Sequence, residues 1–271
     1  ARVISRVLAG EARWHVERAE ALAFLRTLPD ACVDAVITDP PYSSGGAFRG
    51  DRMAATSLKY VNTGTKVDRP EFSGDNRDQH AFGYWCALWL AECARIAKPG
   101  APTCVFTDWR QLPVTADAIQ AGGWTWRGIV PWDKGEGTRP QKGRFRSQAE
   151  FIVWGSNGAM PLERGVGVLP GAFTVPVLQE DKHHITGKPT DLMRRIVAIC
   201  APGGVVLDPF AGSASTGAAC LRDGYRFIGS EMTEAYHRIA VDRLAAEERG
   251  LSLAAATAGQ TSIFDRVKET A

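Results

Sequence analysis

From residue 19 to residue 249 the chain keeps changing its hydrophobic period. Short apolar runs fit only for buried strands alternate with longer stretches whose apolar residues recur every three to four positions. The strand readings are 33–38, 103–106, 125–130, 151–154, 205–207 and 226–229. The helical readings are 19–28, 81–97, 115–121, 191–200, 213–221 and 234–249. Such alternation predicts an α/β fold with a doubly wound, mixed but mainly parallel sheet, because a strand that returns through a helix comes to lie parallel to its predecessor. Pro29-Asp30 and Lys98-Pro99-Gly100 supply the helix stops this scheme needs. Residues 43–80 interrupt it with Gly, Ser and mixed charge and no sustained period, which reads as a lid or insert. With 45% hydrophobic and 23% charged residues there is ample material for one core. A single domain over 1–254 and a tail over 255–271 are expected.

Ligands of such sheets sit beyond the carboxyl ends of the strands, so the residues just after each strand are where chemistry is expected. The first conspicuous end is Asp39-Pro40-Pro41-Tyr42. Its prolines fix the backbone, Asp39 and the Pro40 carbonyl can accept hydrogen bonds from an amino group, and Tyr42 offers a face for stacking. That is a grip for the exocyclic NH2 of a planar base; the plainer reading is a strand stop punctuated by prolines. The second end is Asp208-Pro209-Phe210-Ala211-Gly212-Ser213, leading into a helix. Gly212 allows close backbone approach, Phe210 can pack on an adenine ring, and Asp208 can receive an ammonium group. Glu231, at the end of the next strand, stands where an acid meets ribose hydroxyls in related sheets. Together they predict an adenosine ligand. No G-x-G-x-x-G is present, so a dinucleotide is not indicated.

Taken in order, these motifs resemble the amino DNA methyltransferases, specifically the permuted (beta) class in which the catalytic motif precedes the cofactor motif. D-P-P-Y corresponds to Asp39 to Tyr42, D-P-F-x-G-S to Asp208 to Ser213, and H-x-T-x-K-P to His184, Thr186, Lys188 and Pro189. The resemblance spans roughly residues 12–248 and implies a Rossmann-like, circularly permuted fold with S-adenosyl-L-methionine as methyl donor. It implies catalytic roles for Asp39, Pro40, Pro41 and Tyr42. It assigns the cofactor to Glu20, Asp39, His184, Thr186, Lys188, Asp208, Phe210, Ala211, Gly212, Ser213 and Glu231, with Lys188 facing the methionine carboxylate. Glu20 stands in an Ala-Glu-Ala where the family usually has Gly-Asp, and reads equally as an exposed glutamate at a helix start. Ala214 replaces a frequent second glycine, a change that costs little where φ is negative.

The implied reaction is methylation of a flipped base at adenine N6, with cytosine N4 as the alternative. Asp rather than Ser at the first motif position resembles the adenine enzymes. A protein-glutamine methyltransferase would carry Asn first and place the cofactor motif upstream; an inactive DNA- or cofactor-binding protein would not need Asp39, Tyr42, Asp208 and Lys188 all intact. For DNA, the stretch 134–146 offers Lys134, Arg139, Lys142, Arg144 and Arg146 against Glu136 in a Gly-rich loop, suited to phosphate contacts or simply solvated. The region 155–183 is small for target recognition, so sharing with the lid or with a second subunit of a homodimer is expected. The six cysteines form no C-x-x-C and no metal-site spacing, and no apolar run reaches membrane-spanning length, giving an expectation of a cytoplasmic protein without a metal. Gln260-Thr261-Ser262-Ile263-Phe264 resembles the short peptides that dock on the bacterial sliding clamp, with Thr261 departing from the usual Leu.

Overall fold

Ala35–Thr38 (β2) is buried at all four positions, as only a strand covered on both faces can be. In the computed structural model, which describes residues 2–42, 77–138, 142–176 and 188–251, it lies inside an eight-stranded sheet of order β1-β8-β7-β2-β3-β5-β4-β6. The other strands are Trp14–Arg18 (β1), Pro102–Thr107 (β3), Thr125–Asp133 (β4), Ala149–Ser156 (β5), Phe173–Thr174 (β6), Val205–Asp208 (β7) and Arg226–Glu231 (β8). Every pair from β1 through β3 is parallel, whereas β5 runs antiparallel to both β3 and β4, and β6 pairs parallel with β4. The sheet is mixed and mainly parallel, as the alternation of periods predicted.

The period-two alternation of each strand sorts its side chains onto two faces. Val36, Val105, Leu207 and Ile228 pack with Arg2–Ala9 (α1), Ala21–Leu25 (α2), Gln79–Ile96 (α3) and Leu112–Ala121 (α4). Their neighbours Ile37, Cys104, Val206 and Phe227 pack with Thr190–Val197 (α5), Ser215–Arg222 (α6) and Glu234–Glu248 (α7). Helix α3 starts where Asp78 accepts a hydrogen bond from the Ala81 N–H at 2.9 Å, so residues 79 and 80 of the expected insert belong to a helix. Residues 43–76 lie outside the described residues.

Three elements carry no clear signal in the sequence, among them the two-residue β6. Only Val16 of β1 is buried, and its polar neighbours conceal an edge strand; α1 precedes it. A further correction concerns Ala214, which has φ 57 and ψ 43, in the left-handed region, instead of the negative φ expected, and helix α6 therefore starts at Ser215. A non-glycine residue there costs about 1 to 2 kcal/mol, so the loop before α6 holds a conformation its sequence does not favour. Among the described residues no helix is long and apolar enough to cross a membrane.

Candidate active site

Parallel pairing aligns the carboxyl ends of β2, β7 and β8, while the reversal of β5 brings its amino end to the same edge, with Thr107 opposite Phe151. At this edge Asp39 leaves β2 with its side chain 24% exposed, followed by buried Pro40. Lys188 Nζ lies 2.6 Å from Asp39 Oδ2, and the Tyr42 hydroxyl donates to Asp39 Oδ1 at 2.7 Å. Lys188 also reaches the Tyr42 hydroxyl at 3.1 Å and Glu150 Oε2 at 3.3 Å. The ammonium donates hydrogen bonds to Asp39 and Tyr42 and is ion-paired with Glu150. Lys188 is thus held by the Asp39 segment and by Glu150.

Glu150 belongs to neither sequence motif. It accepts from Lys134 at 3.0 Å on its other oxygen, giving two half-buried carboxylates held by two lysines beside one tyrosine. The two acids are not equivalent. Burial raises the Asp39 pKa and Glu150 raises it further, which Lys188 only partly offsets, so the net shift is upward. Burial acts the same way on Glu150, but Lys188 and Lys134 together outweigh it and its pKa lies below the ordinary value. For Lys188 the two carboxylates overcome burial and keep the ammonium charged. Burial and the flanking acids push the Tyr42 phenol well up, so it remains a proton donor. An acceptor with a raised pKa beside an anchored aromatic can hold an amino group and take its proton.

The second motif forms the adjacent wall. Thr38, just before Asp39, donates to Asp208 Oδ1 at 2.6 Å, stitching the two motif strands together. Asp208 also accepts from Thr216 at 2.7 Å and from the Phe210 N–H at 3.1 Å. It is 2% exposed, deeper than an open acceptor for an ammonium would be, and burial pushes its pKa up to about 6. Ala211 and Ser213 are buried too, whereas Phe210 and Gly212 keep surface toward the edge. Phe210 packs against Trp85 and Trp89 with centroids 5.3 and 5.2 Å away. Gly212, at φ 52, donates to Glu231 Oε2 at 3.1 Å, and Glu231 Oε1 accepts from the Thr233 N–H at 2.7 Å. Burial raises the Glu231 pKa as well. Buried Arg243 braces this loop by donating to the Ser213 carbonyl at 3.1 Å and to Thr190 Oγ1 at 2.8 Å; nothing local in the sequence marks it. Glu20 is exposed and caps α2, its carboxylate accepting from the Ala23 N–H at 2.9 Å. It lies two residues past β1, whose last residue pairs with Glu231.

An acid-rich edge behind a half-buried aromatic and a glycine turn is what a cationic adenosine derivative requires. The profile of the family described as DNA methylase, covering N6 and N4 enzymes, matches residues 33–165 and 168–242. The chain belongs to this DNA methylase family. Among relatives, the Escherichia coli (strain K12) protein YubD, named as a putative methylase, is 30% identical over 88% of this chain and 92% of its own length. The DNA adenine methyltransferase YhdJ of the same organism is 26% identical, over 83% of this chain and 80% of YhdJ. The fold matches TTHA0409 of Thermus thermophilus in complex with S-adenosyl-L-methionine (TM-score 0.64, 20% identity, 89% and 96% of the two chains). It matches M1.HpyAVI in its SAM complex (0.61, 23%, 85% and 98%) and the cytosine-N4-specific PvuII DNA methyltransferase (0.62, 15%, 85% and 86%).

In this DNA methylase the basic stretch is the connection between β4 and β5, whose ends meet at the active edge where Asp133 pairs with Ala149. Residues 142–147 are all exposed, including Lys142, Arg144 and Arg146, and Phe145 is 99% exposed between the two arginines. Lys134 departs from the phosphate-binding reading, because its ammonium is engaged by Glu150 with the side chain only 18% exposed. Arg139, His184, Thr186 and the segment Gln260 to Phe264 lie outside the described residues.

Proposed function

We propose that this methylase transfers a methyl group from S-adenosyl-L-methionine to the exocyclic N6 of an adenine flipped out of duplex DNA. The observation that carries the reading is Asp39, a partly open carboxylate with a raised pKa, fixed between Lys188 and Tyr42 at the strand edge shared with the Asp208 loop. The residues fit the cofactor. Gly212 and Glu231 present a turn and an acid for the ribose, Phe210 an apolar face for the adenine, and the surrounding carboxylates favour a cation. When bound, the cofactor supplies an electrophilic methyl on a sulfonium. Each Asp39 oxygen already accepts one protein donor and has a lone pair left for the target amino group. With the Pro40 carbonyl it orients the nitrogen, and alignment is the main catalytic contribution. Tyr42, anchored through its hydroxyl, stacks on the base. Arg144, Arg146 and Lys142 hold phosphates beside it, residues 43–78 and 155–183 share recognition, and a homodimer would enlarge that surface.

Adenine is favoured by Asp at the first motif position and by the similarity to YhdJ; the likeness to the PvuII enzyme supports cytosine N4 as the second reading. Incubating the protein with duplex DNA and labelled cofactor, then identifying the modified nucleoside by mass spectrometry, separates them. N6-methyladenine is expected, absent with Asp39→Ala, whose cofactor affinity falls less than its activity. Label in N4-methylcytosine would overturn the adenine assignment, and full activity of Asp39→Ala the role of Asp39.

A further inference from the structure

We propose that Glu150 is a positioning residue for methyl transfer: acting through Lys188, it sets how readily Asp39 takes up the proton released by the methylated amino group. The inference rests on the proposed reaction and assigns within it a residue that lies on neither motif. Glu150 is the second residue of its strand, whereas Asp39 follows the last residue of β2, and the two acids meet only because β5 is reversed. Between them sits a single ammonium, 2.6 Å from one and 3.3 Å from the other. Lys134 pins the far oxygen of Glu150 at 3.0 Å, so Glu150 is fixed from behind while it draws on Lys188 from the front. The Tyr42 hydroxyl lies 2.7 Å from Asp39 and 3.3 Å from Glu150, and its one proton goes to the nearer acid.

The chemistry needs a tuned acceptor. After transfer the exocyclic nitrogen is cationic; one N–H bond breaks, its electron pair stays on nitrogen, and an O–H bond forms on Asp39, from which the proton passes to solvent. Lys188 keeps its own proton throughout. An Asp39 paired with Lys188 alone would be a weak base, whereas Glu150 competes for that ammonium and leaves Asp39 the more basic of the two acids. The charged and titratable groups around Asp39 are Lys188 ahead of α5, Tyr42 on its own segment, Glu150 on β5 backed by Lys134 just after β4, Asp208 on β7, and Asp108 beyond β3, which acts on Tyr42.

Single-turnover methylation across about pH 5 to 9 reads the Asp39 proton directly in the acidic limb. In Glu150→Gln the repulsion on Asp39 disappears. The limb is expected to move to lower pH by on the order of one pH unit, with a slower plateau and cofactor affinity held within about threefold. Glu150→Asp restores the charge and should return the limb toward wild type. Lys134→Gln, which frees the Glu150 charge, should move the limb the other way, and it gives a readout even if Glu150→Gln folds poorly. A merely structural Glu150 would lower the rate at all pH values and leave the limb in place, and that result overturns the proposal. The underlying reading fails separately: if Asp39→Asn retains methyl transfer, the assigned reaction is wrong whatever Glu150 does.

Discussion

Asp208→Asn should make this protein more stable and a poorer binder of its cofactor. The wild-type carboxylate is 2% exposed, and its hydrogen-bond donors Thr38, Thr216 and the Phe210 N–H are all uncharged. Burial, the largest cause, pushes its pKa from 3.8 up to about 6. A raised carboxyl pKa means that the folded state holds a proton the unfolded chain releases. Stability contributed by the neutral acid is thus lost as pH rises from about 4 to about 6, and the deficit persists above that. The gap between 3.8 and about 6 amounts to about 3 kcal/mol at about 1.4 kcal/mol per pH unit. Asparagine avoids this cost. Its oxygen can keep Thr38 and Phe210, and its amide can donate to a rotated Thr216 hydroxyl, so the exchange of charged for neutral hydrogen bonds takes back about 1 to 2 kcal/mol. A net gain of about 1 to 2 kcal/mol at pH 8 follows, a rise in Tm of roughly 2 to 8 °C, shrinking to nothing near pH 4. Urea denaturation at both pH values measures it, and calorimetry should show cofactor Kd weakened about tenfold by loss of the buried negative charge. If Asp208→Asn is less stable than wild type at pH 8, or the difference does not change with pH, the account of Asp208 as an uncompensated charge is wrong.

Replacing Arg144 and Arg146 together with alanine should weaken DNA binding without changing cofactor affinity, and should reduce the slope of log K against log salt by about 2; an unchanged slope would remove the β4–β5 connection from the DNA interface. A labelled peptide spanning Ala258 to Lys268 should bind purified bacterial sliding clamp and lose binding on Phe264→Ala. Equal binding of the two peptides, or none, ends the docking proposal.

The sheet and its two motif ends are legible because each is local: a buried run followed at once by prolines, an acid and an aromatic. The parallel direction of β7, β2 and β3 follows from strand–helix alternation, whereas the order that sets β7 beside β2 does not. What escapes a sequence reading is anything whose meaning depends on a distant partner. Glu150 is a single acid at the start of a strand, unremarkable until that strand is known to run backwards beside β3. Lys188 is recognisable as functional, yet its partner lies 149 positions away in the sequence. Lys134 has the charge of a phosphate ligand and the location of a half-buried counter-ion to Glu150. Ala214 shows the limit of propensity: it is fully buried and left-handed although alanine disfavours that state.

The β4–β5 hairpin also has a consequence for how such a chain can change. Both ends of the connection are pinned by the same register, Asp133 opposite Ala149, outside the run of parallel strands that carries Asp39 and Asp208. Loop length adds little to closure entropy, so the connection can be lengthened, shortened or exchanged without shifting any strand of the chemical half. The sheet is divided into a parallel frame that carries Asp39 and Asp208 and an antiparallel hairpin laid along β3, and the Lys134–Glu150 ion pair closes the base of that hairpin.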